Sequence, residues 1–116
     1  MVFISDYTEY EYIEDLRERR YDFYLSGKKN LDSSAVLDDL SRKYEVQTLL
    51  TDTGRILGNL LLAQGLVSEI SLLFHPVIVG EDGYGMFDDL KNVGIELIDS
   101  GALEDCYVWT RYRVLN

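Results

Sequence analysis

Hydrophobic and polar positions alternate along the chain in two periods, one of two residues and one of three to four. Val2 to Ser5 is a short apolar run that predicts a strand. Thr8-Glu9-Tyr10-Glu11 has capping-box spacing, and Tyr12, Ile13 and Leu16 continue as a helical stripe that ends in Arg17, Arg19 and Arg20, cations suited to a helix C-terminus. Tyr21 to Leu25 alternates as a second strand and stops at Ser26-Gly27. Asp32 predicts the cap of a second helix, with Val36, Leu37, Leu40 and Tyr44 on one face and Asp38, Asp39, Arg42 and Lys43 toward water. Val46 to Thr51 predicts a third strand, followed by the helix Arg55 to Gln64, which is apolar on more than one side and closed by Gly65 in the left-handed region.

The last half reads mostly as strand. Glu69 to Phe74 is the fourth, and after His75-Pro76 the run Val77 to Val79 is expected to stay extended up to Gly80. Val93 to Ile98 and Cys106 to Leu115 are expected to pair antiparallel through Ser100-Gly101-Ala102. Alternation in the last strand separates Cys106, Val108, Thr110, Tyr112 and Val114 from Tyr107, Trp109, Arg111 and Arg113. The second set, aromatic and cationic, has the composition of an interface. The order of elements predicts an α/β fold: a parallel strand–helix–strand sheet centred on Leu49 to Gly80, with antiparallel C-terminal strands.

Composition narrows the class of protein. At 116 residues the chain is expected to form a single domain over 1–116, since no repeat, linker or low-complexity tract divides it. Hydrophobic residues make up 47% and charged residues 28%, the balance of a folded globular protein. A formal charge of −10 repels phosphate backbones, which argues against nucleic acid and an anionic membrane surface as partners. The single cysteine, Cys106, excludes an internal disulfide and a cysteine-built zinc site and fits a reducing, cytoplasmic compartment. No stretch is long and apolar enough to span a bilayer.

Candidate chemistry concentrates in the turn Asp52-Thr53-Gly54-Arg55. A helix that opens directly after a strand leaves its first N–H groups free, so an anionic ligand fits there, although Asp52 reads first as a helix cap. His75, the only histidine, has no carboxylate or serine partner in the sequence pattern and reads as structural. The loop Glu81 to Gly85 lacks the ligand spacing of a calcium loop and reads as solvated. No metal site is expected.

The ordered blocks resemble a known family. Asp52, Gly54 and Leu57, then Leu66, Val67 and Glu69, then Pro76, Val77 and Gly80 match the acidic-glycine-glycine-leucine, Leu-Val-Asp-Glu and Pro-Val-hydrophobic-Gly blocks of one domain. That domain is the C-terminal reductase domain of the riboflavin-biosynthesis deaminase/reductase proteins, whose fold is dihydrofolate reductase-like. Two positions depart: the glycine pair is reduced to Gly54, between Thr53 and Arg55, and the second block has Ser68 in place of Asp. Arg55 either obstructs a pyrophosphate or grips it.

The resemblance implies an NADPH-dependent reductase of the 5-amino-6-(5-phosphoribosylamino)uracil type. Asp52, Thr53, Gly54 and Arg55 would hold the cofactor phosphates, with Ser5 at the end of the first strand. Asp6 opposes a phosphate there, and Lys28 and Lys29 would compensate only if near. No catalytic residue is assigned. Aligned in this way, the chain corresponds to the C-terminal half of the family domain and lacks the N-terminal part, so a missing half or a partner subunit is expected to complete it. The family also implies a homodimer, here through the C-terminal strands. The alternative is a truncated, non-catalytic relative that serves as a dimerisation or partner-binding module.

Overall fold

The computed structural model describes residues 2–25, 31–52, 54–88 and 90–116, with the side chain of Tyr24 not described. The chain divides into two units, Met1–Leu50 and Thr51–Asn116.

In the first unit β1 (Val2–Ile4) leads into α1 (Tyr10–Glu18), β2 (Phe23–Leu25) and α2 (Ser33–Tyr44). β1 and β2 pair in parallel, with Val2, Phe3 and Ile4 opposite Phe23, Tyr24 and Leu25. Parallel neighbours require a crossover, and α1 supplies it. Ile4 and Leu16, each 3% exposed, are the buried apolar side chains described in this unit. The expected capping box is not formed. Thr8 turns its hydroxyl back to accept from the Ser5 N–H at 3.0 Å, and α1 begins at Tyr10 with Glu9 in the cap position and no side-chain cap. Asp32 does cap α2, accepting from the N–H groups of Ser34 and Ala35 at 3.1 and 3.3 Å.

α1 ends in a Schellman arrangement. Arg20 is left-handed at φ 57°, and the N–H groups of Arg20 and Tyr21 donate to the carbonyls of Arg17 and Leu16. The basic residues at this end therefore include one that carries the helix-ending conformation itself.

The second unit contains α3 (Arg55–Ala63), β3 (Glu69–Phe74), β4 (Gly94–Ala102) and β5 (Val108–Leu115). The strands form an antiparallel sheet ordered β3-β5-β4. Cross-strand register puts Ile70 and Leu97 beside Tyr112, Leu72 and Ser100 beside Thr110, and Ile95 beside Val114. That face contains the buried Thr110 and Val114, as the alternation of the last strand predicts. The opposite face carries Trp109, Arg111 and Arg113, and it is paired across the strands. Trp109 Nε1 donates to Ser71 Oγ at 2.8 Å, Arg113 meets Glu96 at 3.2 Å and Arg111 lies 3.8 Å from Glu69.

Three expectations are corrected. Val46 to Thr51 forms no strand, so the parallel strand–helix–strand unit expected around Leu49 to Gly80 is absent; the chain is mixed α/β, with an antiparallel sheet in the second unit and the parallel pair in the first. Strand preference is realised only against a partner, and neither ladder takes this largely exposed segment up. Val77 to Val79 does not continue extended. The Val77 N–H turns back to the His75 carbonyl at 2.8 Å, and Val79 is already in the right-handed helical region before the short 3-10 turn Gly80–Asp82.

Ser100-Gly101-Ala102 is likewise strand, paired with Thr110, Trp109 and Val108. The reversal lies at Leu103 to Tyr107, where Asp105 and Cys106 are both left-handed at φ 59° and 67°. Two consecutive positive φ values are the requirement of a I′-type hairpin turn, normally met by Asn-Gly or Asp-Gly.

Candidate functional site: the opening of α3

α3 starts because Gly54, in an extended conformation, presents its carbonyl to the Gly58 N–H at 3.3 Å. Gly54, at the cap position, carries no side chain, and among the described residues none caps this end; the expectation that Asp52 caps it is not met, since Asp52 stands two residues ahead of the cap position, exposed. The first-turn N–H groups of α3 thus have no helical acceptor, and no side-chain acceptor among the described residues. A Cβ built at Gly54 would meet nothing within 4 Å, so the approach to these groups is open. At the other end Gly65, at φ +67°, completes a second Schellman arrangement, with its N–H and that of Leu66 donating to Leu62 and Leu61.

Arg55 is the cation of this opening. Its Nη1 donates to Asp88 Oδ2, and its guanidinium lies 4.9 Å from the centroid of the Tyr84 ring. One turn further, Asn59 Nδ2 donates to the Met86 carbonyl at 3.4 Å, while its Oδ1 is buried without a protein partner. A cleft of about 490 Å³ is lined by Gly54, Arg55, Ile56, Leu57, Leu60 and Tyr84. A second, of about 340 Å³, shares Arg55, Ile56 and Leu60 and is closed by Asn59, Asp88 and Leu90.

Of the residues named from the sequence, Asp52, Gly54 and Arg55 stand together at this opening. Thr53, and also Lys28 and Lys29, lie outside the described residues. Ser5 belongs to the first unit, where it ends β1 and its N–H is taken by Thr8. Sequence reasoning missed Tyr84, Asp88 and Asn59, the residues that surround Arg55. Only the Gly83-Tyr84-Gly85 spacing marked this loop, and nothing tied it to a helix some thirty residues earlier.

His75 packs its ring 5.0 Å from that of Tyr107, in keeping with a structural role. Among the described residues no group of His, Cys, Asp or Glu is placed to hold a metal ion, and no helix is long and apolar enough to cross a membrane.

The residues fit an anionic ligand such as the diphosphate of a dinucleotide: an uncapped helix start, an arginine and a cleft meet at one point. The fit has a cost, because the Asp88 carboxylate holds the same arginine.

Solved structures share this fold at low identity. A pyrimidine reductase-like protein of Corynebacterium diphtheriae superposes with a TM-score of 0.83 at 14% identity, over 99% of this chain and 50% of that one. The RibD protein of Acinetobacter baumannii, in two crystal forms, superposes with a TM-score of 0.78 at 18% identity, over 98–99% of this chain and 31% of that one. The chain therefore spans half or less of the length of these proteins. No curated protein matches it. The family model of the RibD C-terminal domain matches residues 1–108, nearly the whole chain, and the chain belongs to that family.

Proposed function

We propose that the chain is a reductase-like domain over 1–116 that binds NADPH at the opening of α3. Its assigned reaction is reduction of the ribosyl ring of 5-amino-6-(5-phosphoribosylamino)uracil. The observation that carries this reading is the uncapped start of α3 at Gly54, beside Arg55 and above a cleft of about 490 Å³. The N–H groups of the first turn and the Arg55 guanidinium would hold phosphate oxygens. The turn Asp52-Thr53-Gly54-Arg55 is assigned to the cofactor phosphates. When bound, the reduced nicotinamide would supply the hydride. The protein's part is to bind, orient and exclude water, and the apolar lining of Ile56, Leu57 and Leu60 serves the last of these.

The assignment extends to assembly and compartment. A homodimer through the C-terminal strands, or a partner subunit, would cover side chains now open to water. On those strands Ile95, Leu97 and Leu115 are 46%, 53% and 50% exposed. A cytoplasmic location accords with the single unpaired cysteine. The same exposure also favours the second reading, a non-catalytic relative that works as a dimerisation or partner-binding module.

Titration of the purified chain with NADPH, with NADH as control, separates the two. Saturable binding, tighter for NADPH and lost in Arg55→Gln, supports the reductase reading. No binding up to about millimolar concentration, the edge of useful affinity, sinks it and leaves the module.

A further inference from the structure

We propose that Asp88 is a built-in competitor for the anion at Arg55 and thereby sets the affinity of the α3 cleft for phosphate-bearing ligands; this rests on the placement of the ligand's phosphates at that cleft. Three contacts join the first two turns of α3 to residues 84–88: the Arg55–Asp88 ion pair, the stacking of Arg55 with Tyr84 and the Asn59–Met86 hydrogen bond. Together they hold a carboxylate against the guanidinium that faces the cleft.

A carboxylate and a phosphate make the same demand on a guanidinium, parallel N–H donors in a planar fork. Tyr84 holds its ring centroid 4.9 Å from the guanidinium carbon, and the N–H donors are the contested resource. A phosphate arriving at Arg55 either displaces Asp88 or is bound against its negative charge, and both routes cost affinity. The exchange is open to water, since the Arg55 and Asp88 side chains are 40% and 44% exposed. An ion pair in such surroundings is weak enough to be displaced by a divalent anion and strong enough to weaken a monovalent one.

The test is a calorimetric titration of inorganic pyrophosphate and, separately, of NADPH into the wild-type chain, Asp88→Asn, Arg55→Gln and the double variant, with Asp88→Ser as a second removal of the carboxylate. Thermal melts confirm that each variant is folded. Both Asp88 variants are expected to bind pyrophosphate about fivefold tighter than wild type. Arg55→Gln is expected to weaken it, and the gain from Asp88→Asn is expected to vanish in the double variant. Affinity unchanged or lowered by both Asp88 substitutions, a gain that persists without Arg55, or no pyrophosphate binding to any of the proteins overturns the proposal. The NADPH arm separates it from the cofactor reading. The pyrophosphate pattern without NADPH binding sinks the cofactor and keeps the competitor, whereas NADPH binding that is indifferent to Asp88 sinks the competitor and keeps the cofactor.

Discussion

Two glycines of the α3 segment, Gly58 and Gly65, predict stability effects of opposite sign from the same substitution. Gly65 follows the helix at φ +67°, and a Cβ there would have as its nearest neighbour Asn116 Oδ1 at 3.9 Å, an ordinary contact. Gly65→Ala therefore meets no steric obstacle, and its cost is conformational: a left-handed backbone disfavours an L side chain by about 1–2 kcal/mol. Restriction of the unfolded chain returns about 0.4–1 kcal/mol, leaving a net loss of about 1 kcal/mol. Gly58 sits inside α3, where a Cβ meets nothing within 4 Å. Gly58→Ala replaces the residue with the most backbone freedom by the best helix former and is expected to gain about 0.5–1 kcal/mol.

Urea unfolding followed by far-ultraviolet circular dichroism reads both variants. With a slope of about 1.5 kcal/mol/M, the midpoints should move in opposite directions by about 0.5 M each at unchanged slope. A neutral Gly65→Ala would refute the left-handed helix end. A destabilising Gly58→Ala would mean that this face of α3 is covered by something that the open space around the glycine does not show.

Other substitutions follow from single contacts. Asp32→Ala removes the α2 cap and should cost about 1 kcal/mol in the same unfolding assay. Thr8→Ala should cost about 0.5–1 kcal/mol through the lost Ser5 bond, whereas Glu11→Ala should cost nothing measurable, because the capping box is not made. Thr110→Val should stabilise by roughly 0.5–1 kcal/mol, since the buried Thr110 hydroxyl has no partner and an apolar isostere removes its desolvation cost. Arg113→Ala breaks a pair more than half exposed on both sides and should move the midpoint by less than the equivalent of about 0.5 kcal/mol.

What the sequence made legible was local, and so were its failures. α1, α2 and α3 are set by periodicity and by end signals such as Asp32 and Gly65, which act within one turn. Arg20 ends α1 with the same geometry as Gly65 but with a residue whose left-handed conformation no local rule anticipates. The hairpin was misplaced for the same reason. Asp105-Cys106, and not Ser100-Gly101-Ala102, adopts the two positive φ values, because the turn is fixed by the β4–β5 register. Val46 to Thr51 has strand composition and no strand. β propensity measures fit to a neighbouring strand, and composition carries no information on whether one is present.

The site divides along the same line. Gly54 and Arg55 were visible because a glycine just ahead of a helical pattern is a signal of a few consecutive residues, although neither the strand nor the Asp52 cap read beside it is formed. The chemistry of Arg55 was not, because it is set by Tyr84 and Asp88, brought to it by tertiary structure. An arginine read alone at a helix start is a phosphate ligand; the same arginine already paired to a carboxylate and stacked on a ring is one whose affinity is a difference between two anions. The chain carries ten more acidic than basic residues, so a free guanidinium facing solvent would collect some carboxylate in any case. Fixing one at Asp88 replaces that unspecific competition with a single, defined competitor, and on the proposed assignment the selectivity of the cleft depends on how far a diphosphate outcompetes one carboxylate for the same guanidinium.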